Sequence, residues 1–206
     1  MGMLGTLGKI AMGVMVARTV GKAMGGAGGL LGGLLGGGSK DAPQSGTPKS
    51  GGGLGDLLNS FGEKDSQNSN LGNMLNDLLS GKEVNAGPSE EKKAEVLLYA
   101  MLNAAKADGK IDKEEEEKLT KHIGDASEEE IKIVKDAIES PLDVDAFVAT
   151  VPEGMEEQVY IMSLAAINLD TQAEAQYLDT LREKLGISRE TANLIHQKAG
   201  APVLYS

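Results

Sequence analysis

Cysteine and tryptophan are both absent from this chain of 206 residues. The first absence excludes disulfides, thiolate metal sites and a cysteine nucleophile together. The second, with an aromatic content of 3%, removes the usual platform on which nucleic-acid bases stack. Histidine is nearly missing as well, and His122 and His196 are not spaced as the H-x-x-x-H pair of a zinc enzyme. Basic residues are outnumbered, 20 Lys and Arg against 31 Asp and Glu, for a net charge of -11. Neutralising phosphates needs clustered cations, so nucleic acid is not an expected partner. A bilayer-spanning helix needs about 20 mainly apolar residues, and no stretch supplies them cleanly. In the apolar N-terminal arm the longest uncharged runs are Ala23 to Ser39, of which nine residues are glycine, and the shorter Ile10 to Ala17; Arg18 and Lys22 interrupt the rest.

What the chain has is uneven. Of its 28 glycines, 23 lie at or before Gly87, leaving only Gly109, Gly124, Gly154, Gly186 and Gly200 beyond it. A glycine inside an element costs roughly 1 kcal/mol relative to alanine, so regular structure is expected mainly in the second part. Charge divides the same way: the first 40 residues hold Lys9, Arg18, Lys22 and Lys40 and no acid, a charge of +4, which leaves -15 of the net -11 for the remainder. Such asymmetry marks an interaction tail. Residues 1–38 therefore read as an apolar, glycine-rich, basic segment that lies on an anionic membrane surface or in a partner's groove, with a bilayer span and a low-complexity tail as the alternatives. The charges sit inside the apolar stretch rather than before it, which disfavours a secretory signal. Met1 to Thr6 fits the short N-myristoylation pattern, which is common by chance. Residues 39–88 read as a linker carrying two short leucine-rich pieces, Leu54 to Asn59 and Leu71 to Leu79. Both are candidate docking motifs, and helices shorter than about 12 residues fray when isolated in water.

From residue 89 to 206 the pattern is helical, with explicit starts and stops. Seven segments are expected. The first has Ser89 as cap and carries Leu97, Leu98, Met101, Ala104 and Ala105 up to Asp108-Gly109. The second runs from Asp112, paired with Glu115, to Gly124. Ser127 with Glu130 begins the third, which buries Ile131, Val134 and Ile138 before Pro141. Asp143 caps a short fourth, with Leu142 and Phe147 as a hydrophobic staple. A fifth carries Val159, Met162, Ala165, Ala166 and Leu169; a sixth is opened by Thr171 with Glu174 and presents Leu178, Leu181 and Leu185 before Gly186. The seventh runs from Ser188 to Gly200, with Leu194 and Ile195 apolar. Short connections and no alternating β pattern predict an all-α bundle of about seven helices behind a flexible glycine-rich arm.

Two junctions in this region look alike. Ala107-Asp108-Gly109-Lys110-Ile111-Asp112 is followed by Glu115, Glu116 and Leu119, and Leu169-Asp170 by Glu174, Tyr177 and Leu178. In each, an aspartate at the turn has a glutamate one helical turn later on the same side. Such carboxylates either cap a helix or contribute oxygen ligands to a hard divalent cation. At these residues, in Ala100 to Glu115 and Ala165 to Asp179, the chain resembles the TerB-like superfamily, named for tellurite resistance, and most closely its YebE-like branch of bacterial proteins. The resemblance spans roughly residues 89–200, and the branch carries a similar Gly/Leu-rich leader. It implies an all-helical TerB-like fold, association with the inner membrane, a divalent-cation site (calcium, magnesium or manganese) in the acidic cluster, and no catalytic activity. The metal candidates are Asp108, Asp112, Glu115, Glu116, Asp170 and Glu174. Thr171 follows Asp170 where the first junction has no hydroxyl, so the two halves need not be equivalent.

Asp108 to Glu115 also looks like the second half of a calcium-binding loop, yet Ala104 and Lys106 stand where such a loop needs acids. The run Glu114 to Glu117 reads as a solvated helix start favoured by the macrodipole. His122 and His196 are expected as surface or partly buried polar residues rather than as ligands. No nucleophile, base and orienting group can be picked out, and the glycine runs lack the lysine and hydroxyl residue of a phosphate loop. The expected function is a non-enzymatic, inner-membrane-associated binding or adaptor module in a stress response, its helical domain on the cytoplasmic side and a membrane surface, membrane protein or other protein as partner. The alternative is a divalent-cation sensor or buffer.

Overall fold

The computed structural model describes residues 2–10, 54–61, 69–79, 82, 84–107, 109, 126–167 and 169–205. Among them the regular elements are helices: α1 at residues 3–10, α2 (Leu54–Phe61), α3 (Ser69–Leu79), α4 (Pro88–Ala105), α5 (Glu128–Glu139), α6 (Val144–Val148), α7 (Glu156–Ala165), α8 (Gln172–Lys184) and α9 (Arg189–Ala199). The all-α expectation holds. The segment Asp112 to Gly124, expected as a helix, lies outside the described residues.

Local chemistry sets most helix ends. Ser127 caps α5 through a complete capping box, its hydroxyl accepting from Glu130 N and its own N–H donating to Glu130 Oε2 at 2.7 Å. Asp143 caps α6 through Ala146 N, and Ser188 caps α9 through Thr191 N. Gly200 closes α9 in the left-handed region at φ 70, where only a residue without Cβ sits at no cost. The first expected helix starts one residue early: Gly87 is the N-cap of α4 and Pro88 fills the first turn, so Ser89 is already helical. Proline suits that place because its missing N–H would have had no partner there.

α7 forms the centre. Every residue from Gln158 to Ala165 is buried, because α2, α4, α8 and α9 all pack on it. A helix buried all round lies in the interior of a bundle. It ends at Ala165 with Ala166 as C-cap, before Leu169, which the apolar spacing had assigned to it. Leu169 instead makes the turn, half-buried, at a positive φ of 50. For an L-residue that region costs on the order of 1 kcal/mol, offset here by the capping bonds that follow. Leu142 and Leu194 are 39% and 46% exposed, so neither enters the core, whereas Phe147 and Ile195 do.

The hydrophobic core runs on through the chain before residue 89. Leu54, Leu57 and Leu58 of α2 and Leu71 and Leu75 of α3 are buried in the same cluster as Leu97, Met101 and Tyr160. α2 and α3 touch backbone to backbone: a Cβ on Gly55 would stand 2.3 Å from Gly72 O, and one on Gly72 would stand 2.4 Å from Gly55 O. Gly55 also faces Asn76 while Asn59 faces Gly72 and Asn73, so the two helices run in opposite directions. The leucine-rich pieces thus dock within this chain, which supplies the packing that such short helices need. α1 joins them, with Leu4, Leu7 and Ile10 at most 2% exposed.

Candidate functional site

The second acidic junction is fully described. Glu174 is 1% exposed, and its carboxylate turns back over the start of its own helix. Its Oε2 accepts from Asp170 N at 3.1 Å, Thr171 N at 3.1 Å and Thr171 Oγ1 at 3.0 Å, while Glu174 N donates to Thr171 Oγ1 at 3.2 Å. This is a capping box, and it satisfies backbone donors that the helix start leaves without intrahelical partners. Asp170 is exposed at the turn. Asp108, Asp112, Glu115 and Glu116 lie outside the described residues, so of the six candidate ligands the structure places Asp170 and Glu174 alone. Among the described residues no group of three or more His, Asp or Glu side chains is arranged to hold a metal ion.

Next to the first junction, Lys106 has a role that its sequence context hides. It is 6% exposed, and its ammonium donates to Ala137 O at 2.7 Å and Ser140 O at 2.9 Å. Those carbonyls are at the C-terminal end of α5, where the helix dipole favours a cation. Burial pushes the Lys106 amine below its usual range. A position where a calcium loop would present an acid therefore clamps α4 to α5. The signal available in the sequence was a lysine in the last apolar turn of a helix, which does not say where its ammonium goes.

A second polar cluster ties the C-terminal residues to the bundle. Arg182 is 8% exposed and donates to Ile187 O, Asp179 Oδ1, Glu183 Oε1 and Tyr205 Oη. The Tyr205 hydroxyl donates to Asp179 Oδ1 at 2.8 Å, and this bond with the neighbouring Arg182 holds the Asp179 carboxyl below the ordinary carboxylate range. The guanidinium carbons of Arg182 and Arg189 stand 5.2 Å and 5.5 Å from the centre of the Tyr205 ring, within cation–π range. Asn193 exchanges hydrogen bonds with the Tyr205 backbone in both directions.

His196, expected at the surface or partly buried, is fully buried. One ring nitrogen, Nδ1, faces Pro202 O, and the other, Nε2, lies 2.9 Å from the Tyr160 hydroxyl. A carbonyl only accepts, so Nδ1 carries the proton and Nε2 accepts from Tyr160. Burial lowers the His196 pKa from 6.5, partly countered by the Pro202 carbonyl, and burial raises the Tyr160 phenol. Both clusters pin chain segments together, the His196 pair from the interior and the Arg182 cluster from a site whose outer members, Glu183 and Arg189, are exposed.

A family model described as a protein of unknown function, DUF533, matches residues 20–199. The chain belongs to the DUF533 family. That family is one of the TerB-like families, which agrees with the likeness read at the two acidic junctions. The DUF533 match begins well before residue 89 and so takes in α2 and α3 as well as the later helices. Neither a curated protein nor a solved structure matches the chain. Among the described residues no helix is long and apolar enough to cross a membrane.

Proposed function

We propose that this DUF533 protein is a non-enzymatic binding or adaptor module of the YebE-like branch that associates with the bacterial inner membrane and serves in a stress response, its helical body on the cytoplasmic side. The observation that carries this reading is the separation of charge: +4 in the first 40 residues against -15 in the rest. Each basic residue held at an anionic leaflet contributes about 1 kcal/mol, and the acidic body is repelled by the same surface. A chain charged in this way meets a membrane by one end. The polar clusters of the body act as internal pins, which suits a rigid carrier of a binding surface.

The divalent-cation alternative is the weaker reading, because Oε2 of Glu174 already accepts three hydrogen bonds. The membrane reading is tested by co-sedimentation of the full chain with phosphatidylglycerol and with phosphatidylcholine vesicles. Wild type is expected to bind the anionic vesicles in a salt-sensitive manner, and a variant carrying Arg18→Glu, Lys22→Glu and Lys40→Glu to lose that binding. Equal sedimentation of the two proteins would overturn the reading.

A further inference from the structure

α1 is seated in a cleft of the body, and both polar and apolar contacts hold it there. Leu4, Leu7 and Ile10 are buried, and Thr6, 0% exposed, donates its hydroxyl to Glu130 Oε1 at 3.1 Å. Leu4 N donates to Glu91 Oε2 at 3.2 Å, so a carboxylate of α4 caps the start of α1. Gly8 lies against Leu78 of α3, so closely that a Cβ added there would stand 2.1 Å from Leu78 Cδ2. The cleft is thus formed by three elements of the body, and it recognises a short apolar helix with small residues on its contact face.

The buried leucines and isoleucine of α1 belong to the basic, acid-free segment that the proposed function assigns to the membrane. An apolar side chain cannot be in the cleft and in lipid at once, so the two locations exclude each other. α1 is also too short to be a stable helix by itself, and its order depends on the surface it packs against. A long glycine-rich stretch of sequence separates Ile10 from Leu54, enough chain for α1 to leave the cleft without drawing α2 after it.

We propose that α1 is an intramolecular latch: docked between Leu78, Glu91 and Glu130 it withholds the apolar N-terminal segment, and its release presents that segment to an anionic membrane surface. This rests on the membrane reading above. The latch sets the fraction of molecules competent to bind, and the apparent affinity scales with that fraction.

A disulfide across the cleft tests it in the full chain, which has no cysteine of its own. An ideal Cβ on Gly8 stands 3.9 Å from Leu78 Cβ, within the roughly 3.5–4.5 Å that a disulfide spans. The paired substitutions Gly8→Cys and Leu78→Cys also remove the side-chain atoms that would clash. Oxidation is expected to give an intramolecular crosslink, and the oxidised protein to bind phosphatidylglycerol vesicles at least about tenfold more weakly than the same protein reduced. Equal binding of the crosslinked and reduced forms would overturn the latch and leave the membrane reading standing. A crosslink formed only between two copies would also overturn it, showing that α1 docks in trans. If neither form nor wild type binds, the membrane reading falls and the latch falls with it.

Discussion

Glu174 sits in the first turn of α8 with its carboxylate turned back on Asp170 and Thr171. Replacing it by alanine removes three accepted hydrogen bonds at a helix start, and caps of this kind contribute about 1–2 kcal/mol. Glu174→Ala is therefore expected to lower the urea midpoint without changing its slope. The loss should be the same in a chelator and in calcium, magnesium or manganese; a cation-dependent difference would mean that the residue holds an ion. Gln158 is the opposite case, 1% exposed in α7 with neither amide atom hydrogen-bonded among the described residues. An unsatisfied buried polar group costs about 1–3 kcal/mol, so Gln158→Met, similar in volume, is expected to raise the melting temperature. His196 governs a pH dependence whose sign is fixed by its environment. Its folded pKa lies below 6.5, so the stability it contributes is complete above that value and is lost as acidification protonates the unfolded chain first. Denaturation at about pH 7.5 and 5.5 should show wild type losing more stability than His196→Gln over that interval. A larger loss in the variant would reverse the assignment.

At the scale of elements, two glycines decide how α2 and α3 meet. A Cβ on Gly72 would fall 2.4 Å from the Gly55 carbonyl, and backbone cannot move aside as a side-chain end can. Gly72→Ala is expected to cost about 1–3 kcal/mol by overpacking, read as a drop in thermal midpoint. An unchanged midpoint would mean the two helices do not touch there. The helix boundaries that could be read from sequence are those set within a turn: Ser127 with Glu130, Thr171 with Glu174, Asp143, Ser188 and Gly200. The four N-terminal caps each join a side chain to a backbone group three residues on, and Gly200 closes α9 through its own backbone N–H, so every signal is local and visible. The docking of α1, α2 and α3 was not visible, because short leucine-rich pieces look alike whether they pack on their own chain or on another. The end of α7 was missed for a related reason: Leu169 keeps the apolar spacing, and only the cap at Thr171 shows that the backbone has already turned. Of the acidic junctions, the spacing showed that Asp170 and Glu174 act together, and the inward turn of Glu174 over its own helix start came from the fold.

On the scale of the whole molecule, the chain builds one core from sequence-distant parts. The central helix α7 is covered by α2, α4, α8 and α9, and α3 packs on α2 with its leucines in the same core, so the early and late helices stabilise each other. Fully burying a leucine contributes about 1.5–3 kcal/mol, and α2 and α3 together bury Leu54, Leu57, Leu58, Leu71 and Leu75. A body assembled in this way holds a fixed surface, which the proposed adaptor role requires. Native-state hydrogen exchange of the full chain reads this directly. The amides of Leu58 and Leu75 are expected to share the protection of Met162 in α7, with those of α1 opening at lower free energy. Amides of α2 and α3 exchanging at unprotected rates while α7 stays protected would contradict the single shared core.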